Sequence, residues 1–387
     1  MSIATERNPE VEEGVAVKRI LHITGAMNRG GTETMLMNLY RKLDKTKWQF
    51  DFVSYSKDHA AYDKEIQAMG GRIIHITHPG SLTEHIKAIK HNGPYEAVHA
   101  HTLFQCGIAL AAAKMAGVKN RIAHAHTTMD HADTFVRKTY MHAMRRTILM
   151  LSTERLACSK AAAVYLFGKE ASFLFLPNAI QWEGFLKNEA ERAELRKELG
   201  LEQSFVVGHA GRFIPAKNQQ FLIKLFPEIK KRNPNAKLLL VGDGDLRGEL
   251  ENQVLQSDYA KDITFLGLRE DMESVFQTFD VFAFPSIYEG LGLVLLEAQA
   301  AGKKCIVSEA VQPEADLKLG LISTVSLSDE KRWVEEVLHS EAAQVSKTDI
   351  ERAFINERYS VQQALDQLLN IYQREETRHE KAVNRYV

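Results

Sequence analysis

The sequence is poor in cysteine and proline and has no long apolar run. It has 3 Cys and 9 Pro in 387 residues. The spacing of Cys106, Cys158 and Cys305 is typical neither of disulfide-bonded cysteines nor of metal ligands. We therefore expect the protein to work in a reducing compartment. The longest candidate span, Ile108–Ala113, is stopped by Lys114. This is far short of the roughly 20 apolar residues that a bilayer-spanning helix needs.

The sequence also carries almost no net charge. Its 49 Lys and Arg against 50 Asp and Glu give −1 at pH 7. That balance offers no global attraction for nucleic acid or for an anionic membrane, so any basic site must be local and no nucleic-acid partner is expected. The segment before Arg19 is acidic and has neither the basic head nor the apolar core of a secretory signal. We therefore expect a cytoplasmic protein.

Short apolar runs alternate with longer helical patterns from about residue 18 to 345. This alternation is typical of parallel sheets covered by helices, and it predicts an α/β fold with two similar open sheets in series. The predicted strands are Arg19–Ile23, Phe50–Tyr55, Arg72–Ile76, Ala97–His99, Arg121–Ala125, Arg155–Cys158, Phe173–Leu176, Phe205–His209, Lys237–Val241, Ile263–Phe265, Val281–Phe284, Lys304–Val307 and Leu321–Thr324. Helix-length stretches between them include Thr32–Leu43, Leu103–Met115 and Phe135–Leu151.

The length and one polar segment indicate the domain organisation. A chain of 387 residues is long enough for about two domains. The polar helical segment 177–201 separates the two alternating halves, and the helical pattern at Val361–Tyr372 has no strand after it. The predicted divisions are a disordered tail 1–16, a first domain 17–180, a second domain 181–357, and a terminal helix with a charged tail 358–387.

Polar motifs follow several predicted strands, where open parallel sheets bind ligands. Gly30 and Gly31 precede a helix, where backbone N–H groups can meet an anion, although the pair could serve only a turn. Arg212 and Lys217 follow the strand that begins at Phe205. Two cations at this spacing suit a diphosphate, and they could equally be solvated surface charges.

The segment 242–248 has three glycines after a strand. It resembles a dinucleotide fingerprint, but the third glycine falls one position late and no acidic residue clearly ends the next strand. A turn beside a nucleobase and a plain structural turn both fit this pattern. An NAD(P)-dependent oxidoreductase is therefore an alternative function.

Glu289 and Glu297 belong to the most informative motif, residues 284–302. If the span between them were helical, they would lie about 12 Å apart. That exceeds the roughly 5–9.5 Å of a hydrolase carboxylate pair, so it favours one longer ligand with a carboxylate near each end. Glu297 could instead lie on a solvated helix face, but its neighbours are apolar and favour a buried helix.

Together these motifs resemble the retaining nucleotide-sugar glycosyltransferases of the GT-B fold, group 1 or family four, in an exopolysaccharide- or capsule-type branch. The resemblance covers about residues 18–372. It implies two Rossmann-like domains facing across a cleft, with the donor mainly on the second and the terminal helix packed back on the first. It also implies that neither a divalent metal nor another cofactor is needed.

The resemblance implies transfer of a sugar, most simply from a UDP-sugar, to a hydroxyl acceptor such as a lipid-linked or polysaccharide precursor, with retention of configuration. A non-catalytic nucleotide-sugar-binding protein stays an alternative. The implied catalytic residues are Glu289, His126, Arg212 and Lys217. The implied donor-binding residues are Gly30, Gly31, Arg212, Lys217, Gly242, Gly290, Leu291, Gly292 and Glu297.

Histidines are numerous, 15 in all, and two pairs lie along strands. A spacing of two places His99 with His101, and His124 with His126, on one strand face each, a pattern that metal sites also use. The resemblance instead implies that His126 lies beside the donor sugar and phosphate. We assign His101 to the acceptor side and expect His99 and His124 to be packed or hydrogen-bonded.

The segment 135–155 combines basic and apolar residues in a helical pattern. Such a helix could contact an anionic membrane or a lipid diphosphate acceptor, or simply cover the first domain. The acceptor or membrane candidates are His101, Arg137, Lys138, Arg145 and Arg146. The protein could therefore act at the inner face of a membrane.

Overall fold

A first, mainly parallel sheet forms the N-terminal half of the chain. The computed structural model describes residues 16–127, 134–186, 188–339, 345–373 and 385–386. Within these ranges the sheet order is β14-β7-β6-β5-β4-β1-β2-β3, with only β14 antiparallel. Its strands are β1 (Lys18–Ile23), β2 (Trp48–Ser54), β3 (Ile73–His75), β4 (Ala97–Ala100), β5 (Asn120–Ala125), β6 (Glu154–Ala157), β7 (Phe173–Phe175) and β14 (Arg385–Tyr386).

A second, wholly parallel sheet follows in the order β10-β9-β8-β11-β12-β13. In each sheet the strand order reverses beside its first strand, between β1 and β4 and between β8 and β11. Ligands of open α/β sheets bind at such switch points. The strands are β8 (Phe205–Ala210), β9 (Ala236–Val241), β10 (Ile263–Gly267), β11 (Val281–Phe284), β12 (Lys304–Val307) and β13 (Ile322–Thr324).

Helices connect the strands and cover both sheets. The predicted helix at Leu103–Met115 begins with a short 3-10 turn, Leu103–Gln105, and continues as α4. The helices of the described ranges are α1 (Gly31–Lys42), α2 (Asp63–Ala68), α3 (Leu82–Asn92), α4 (Cys106–Met115), α5 (Phe135–Leu151), α6 (Lys160–Phe167), α7 (Glu189–Glu198), α8 (Gln219–Arg232), α9 (Arg247–Leu255), α10 (Met272–Thr278), α11 (Leu293–Ala300), α12 (Glu330–Leu338), α13 (Lys347–Asn356) and α14 (Val361–Tyr372). Within the described ranges, no helix is long and apolar enough to span a bilayer.

The α/β class with two parallel sheets is confirmed, and each predicted strand is present within a few residues of its expected bounds. The apolar runs identified these strands because both faces of each sheet are covered. The domain divisions at 180 and 357 stay predictions. The expected tail 1–16 lies outside the described residues except for its last residue, and so does most of the chain after residue 373.

Two attachments decide which sheet the later helices join. Asp280, at the start of β11, accepts hydrogen bonds from the guanidinium groups of Arg192 (2.5 Å) and Arg196 (3.1 Å) on α7, and from the backbone N–H of Val206 (2.7 Å). This ion-pair network fixes α7 to the second sheet. The apolar face of α14 instead shares a buried cluster with α1 and the first sheet, so the chain returns to its first half.

Candidate active site

The carboxyl ends of the two sheets meet across a cleft. Gly290, after β11, lies so close to the chain after β5 that a β-carbon on it would be 2.4 Å from the His126 carbonyl oxygen. Gly31, at the start of α1, lies opposite Leu293, the first residue of α11, and a β-carbon there would be 3.9 Å from the leucine methyl. Two helix N-termini, which favour anions, therefore begin on opposite sides of the same cleft.

Lys217 and Glu289 form an ion pair on the second-domain side of this cleft. The Lys217 ammonium donates to a Glu289 carboxylate oxygen and lies 4.9 Å from the centre of the Phe284 ring. Their side chains are only 18% and 13% exposed. A cation held in partly desolvated surroundings acts more strongly on a bound anion than one in water.

Backbone contacts between two loops place this ion pair. Asn218 adopts a left-handed conformation (φ 56°), and its side-chain amide donates to the Pro285 carbonyl at 3.1 Å. The N–H of Ile287 donates to the Ala216 carbonyl at 2.7 Å. The loops after β8 and β11 are thus joined, which brings together two residues 72 positions apart in sequence.

Arg212 and Glu33 are opposite charges from the two domains. Arg212 is exposed, and its guanidinium has no hydrogen-bond acceptor among the described residues. Burial raises the pKa of Glu33, and the positive charge of Arg212 partly opposes that shift. The Glu33 carboxylate lies against Gly30, where a β-carbon would be 2.3 Å from it. No role for Glu33 was predicted from the sequence, although an acidic residue three positions after a helix cap is a known N-terminal signal.

Another ion pair joins the two sides of the cleft. Arg29, in the loop after β1, donates to Glu270, in the loop after β10, at 2.7 Å. Both side chains are solvent-exposed, so the pair is weak in water. Neither residue was predicted from the sequence, because nothing in the local pattern shows that these two loops face each other.

Glu297 lies on α11, half-buried, and its carboxyl makes no hydrogen bond to any described residue. Burial, together with the negative charge of Glu273 on α10, raises the pKa of Glu297 to about 7. A half-buried carboxyl without a protein partner can accept hydrogen bonds from ligand hydroxyl groups. Glu273 was not identified from the sequence, since only the packing of α10 against α11 brings it near.

Close packing explains some glycines of the site and a left-handed backbone explains another. A β-carbon on Gly242 would lie 2.1 Å from the Gly211 carbonyl oxygen, and one on Gly244 would lie 2.5 Å from that of Phe213. Packing against the loop after β8 therefore explains both glycines, and the role of Gly242 in donor binding stays a prediction. Gly292 has φ +83°, a left-handed conformation that lets α11 start directly after the buried Leu291.

His126 and His101 are brought together at the carboxyl ends of β5 and β4. The Nε2 atom of His126 lies 2.9 Å from Nδ1 of His101, and Asn178 lies beside the His126 ring. Burial lowers the pKa of His126 to about 3, so the ring is neutral at pH 7. It therefore cannot supply a positive charge to a bound diphosphate.

The four basic candidates on α5 do not share one environment. Arg145 donates to the carbonyls of Tyr165 (2.8 Å) and Leu166 (3.2 Å), so its guanidinium is engaged near the end of α6. Lys138 and Arg146 are exposed, and Arg137 is half-buried. Beside them at the start of α5 are two exposed apolar side chains, Phe135 (85% exposed) and Val136 (78%).

Solved structures share this architecture, and two of them cover nearly the whole chain. HepE of Anabaena, solved in complex with UDP and glucose, matches with a TM-score of 0.76, 19% identity, and coverage of 91% of this chain and 98% of that one. Sucrose-phosphate synthase of Thermosynechococcus elongatus matches with a TM-score of 0.74, 17% identity, and coverage of 92% and 98%. These similarities confirm the GT-B arrangement of two Rossmann-like domains.

Family models and sequence relatives agree with this fold. The model for glycosyltransferase family 4 matches residues 29–167, and the model for glycosyl transferases group 1 matches residues 191–317. EpsF of Bacillus subtilis, a candidate glycosyltransferase, is 40% identical over 92% of this chain and 96% of its own length. The capsular polysaccharide biosynthesis glycosyltransferase CapH of Staphylococcus aureus is 28% identical over 75% of this chain and 80% of its own length. The chain belongs to the group 1 glycosyltransferases.

Proposed function

We propose that this glycosyltransferase moves a sugar from a nucleotide-sugar donor, a UDP-sugar, to a hydroxyl acceptor with retention of anomeric configuration. The observation that carries the proposal is the half-buried Lys217, held by Glu289 at the cleft, with the exposed Arg212 on the same side. Two cations in the segment between β8 and α8, at the carboxyl edge of the second sheet, suit a diphosphate. HepE, which has the same fold, was solved with UDP-glucose, and this supports the choice of base.

Charge stabilisation would supply most of the catalysis. As the bond between the sugar and the diphosphate breaks, negative charge grows on the leaving phosphate oxygens, and the sugar gains positive charge. Lys217 and Arg212 would stabilise the first charge and the Glu289 carboxylate the second. In retaining transfer of this kind the acceptor attacks from the face of the leaving group, and a phosphate oxygen takes its proton. No separate protein base is then required.

A panel of ligands tests the donor assignment. Binding to the native state stabilises it by RT ln(1 + [L]/Kd), about 2.7 kcal/mol at 100 times Kd. We expect UDP and one UDP-sugar to raise the melting temperature, with no shift from GDP, ADP or NADH. A response to NADH alone would favour the oxidoreductase alternative. Binding without any donor turnover in the presence of candidate acceptors would favour a non-catalytic nucleotide-sugar-binding protein.

Variants of the ion-binding side chains test the site. Arg212→Ala and Lys217→Met should each abolish the shift caused by UDP, because each removes a positive charge from the diphosphate site. Lys224→Met is the matched control, since Lys224 is an exposed lysine of α8 that pairs with Glu330. A full UDP response in both site variants would contradict the proposal.

For the acceptor, we propose a lipid-linked precursor of a surface polysaccharide, reached by contact with the inner face of a membrane. The support is the start of α5, where the exposed Phe135 and Val136 precede the basic Arg137 and Lys138. Apolar insertion combined with basic charge favours anionic bilayers. A relative in E. coli, 29% identical over 55% of this chain, is described as using an acceptor on diphosphoundecaprenol.

Vesicle sedimentation tests this contact. The chain should sediment with vesicles containing anionic phospholipid and less with neutral ones, and Phe135→Ser combined with Val136→Ser should reduce the bound fraction. Leu255→Ser is the control, because Leu255 is an equally exposed apolar residue (72%) on α9 of the second domain. Equal binding of the double variant and the wild type would exclude this surface.

A further inference from the structure

Five histidines lie side by side in the first sheet. His22 belongs to β1, His99 and His101 lie on and just after β4, and His124 and His126 lie on and just after β5. We call this set the histidine ladder. Neighbouring rings have centroids 3.9 to 5.5 Å apart. Parallel pairing sets His22 opposite His99 on one face, so the contacts follow from strand register and not from nearness in sequence.

Much of the hydrogen-bonding capacity of the ladder is unused. His22 Nδ1 lies 3.1 Å from His101 Nε2, His101 Nδ1 lies 2.9 Å from His126 Nε2, and His99 Nδ1 lies 2.7 Å from the Tyr372 hydroxyl. Five ring nitrogens are buried without a partner among the described residues: Nε2 of His22, Nε2 of His99, both nitrogens of His124, and Nδ1 of His126. A buried polar atom that makes no hydrogen bond destabilises the fold. Buried groups of this kind usually indicate a bound water or ion.

Three members of the ladder can approach one point. One ring nitrogen from each of His22, His99 and His101 lies within 4.8 Å of the other two. A tetrahedral zinc ion with Zn–N bonds of about 2.0–2.1 Å separates its ligand nitrogens by about 3.3 Å and the imidazole centroids by about 5 Å. The His22 centroid is 5.3 Å from that of His99 and 5.4 Å from that of His101. The His99–His101 pair, at 4.2 Å, would have to open by about 1 Å.

The chemical state of these rings suits a metal. Burial lowers the pKa of His22, His99 and His101 below the ordinary value of histidine, which favours their neutral form. Neutral imidazole is the form that ligates. The Tyr372 hydroxyl on His99 Nδ1 can fix the tautomer that leaves Nε2 with a lone pair, as outer-sphere partners of metal-bound histidines do.

We propose that His22, His99 and His101 bind one late first-row divalent metal ion, zinc or a metal of similar preference, as a structural ion of the first domain. An all-imidazole set selects zinc, copper, nickel or cobalt over magnesium and calcium. A second group, His101, His124 and His126, meets the same distance limit. Because His101 belongs to both groups, only one of them can use it to bind an ion. The group with His22 is favoured because two of its three members are buried, against one in the other group, and because the Tyr372 hydroxyl lies on His99 Nδ1. This assignment does not rest on the sugar transfer proposed above.

Metal content and cobalt substitution test the proposal on the intact chain. The protein purified from zinc-supplemented medium should contain about one metal ion per chain. After chelation, added Co²⁺ should give the intense visible absorption of tetrahedral coordination, and Zn²⁺ should displace it. Both signals should disappear in His22→Phe and persist in His75→Gln, an exposed histidine of the same domain that lies outside the ladder. X-ray absorption on the unmodified zinc protein should show at least three imidazole ligands, which keeps the test valid if His22→Phe does not fold.

Two results would overturn the assignment. Absence of stoichiometric metal together with absence of a tetrahedral cobalt spectrum would mean that water satisfies the ladder. Loss of binding in His124→Phe with full binding in His22→Phe would assign the ion to the other group, at the cleft.

Discussion

Gly290→Ala tests whether sugar transfer needs the two domains in direct contact. The backbone of Gly290 does not adopt the left-handed conformation, so alanine can take the same backbone dihedral angles. The new methyl group would lie 2.4 Å from the His126 carbonyl oxygen, whereas real β-carbons essentially never come closer than 3.0 Å and rarely closer than 3.4 Å. The two loops must therefore separate by about 0.6 to 1.0 Å. A misplacement of about 1 Å can cost on the order of 100-fold in rate.

We expect Gly290→Ala to lower kcat by about 10- to 100-fold and to change the free energy of unfolding by less than about 1 kcal/mol, since neither core is altered. The assay is the initial rate of nucleotide release from the donor that the panel identifies, with thermal unfolding measured in parallel. Gly248→Ala is the control, because a β-carbon on that glycine, in α9, meets nothing within 4 Å. A wild-type kcat in Gly290→Ala would refute the reasoning, and so would an equal loss in the control.

Three further changes probe single groups. The carboxyl of Glu297 has a pKa of about 7 in the fold against an ordinary 4.5, so its ionisation beside Glu273 weakens the fold as pH rises from about 4.5 to 7. Glu297→Gln should therefore have a higher melting temperature than the wild type at pH 8 and the same melting temperature near pH 4.5. Equal melting temperatures at pH 8 would contradict this. Asp280→Asn should cost about 2 kcal/mol in urea unfolding, because two arginines lose their charged acceptor; a loss under about 0.5 kcal/mol would disprove it. Tyr372→Phe removes the hydroxyl on His99 Nδ1 and should lower the free energy of unfolding by about 1–3 kcal/mol in the same assay. An unchanged free energy of unfolding would contradict this.

The strands and the amphipathic helices could be predicted because local composition reports burial. A central parallel strand such as β9 is covered on both faces, so it reads as an apolar run. The pattern of α14 likewise showed an apolar face. Its partner could not be read from the chain, because the contact with α1 joins residues more than 300 positions apart.

The candidate site was predicted in part, for a related reason. Residues directly after strands, such as Lys217 and Glu289, were identified because the carboxyl ends of parallel strands collect at one edge. Their pairing depends on β8 lying next to β11, which the order of strands along the chain does not reveal. Glu33 and Glu273 were missed, since each acquires its environment from a segment far away in sequence.

Local polarity and motifs of a few residues were enough to predict the α/β class, the strand positions, the family and the residues at the strand ends. The tertiary structure decided which of those residues meet: Lys217 with Glu289, Gly290 with His126, and His22 with His99. The physical reason is that strand order and domain contact are set by burial summed over the whole chain. A short stretch of sequence therefore does not reveal the strand order or the contact between the domains.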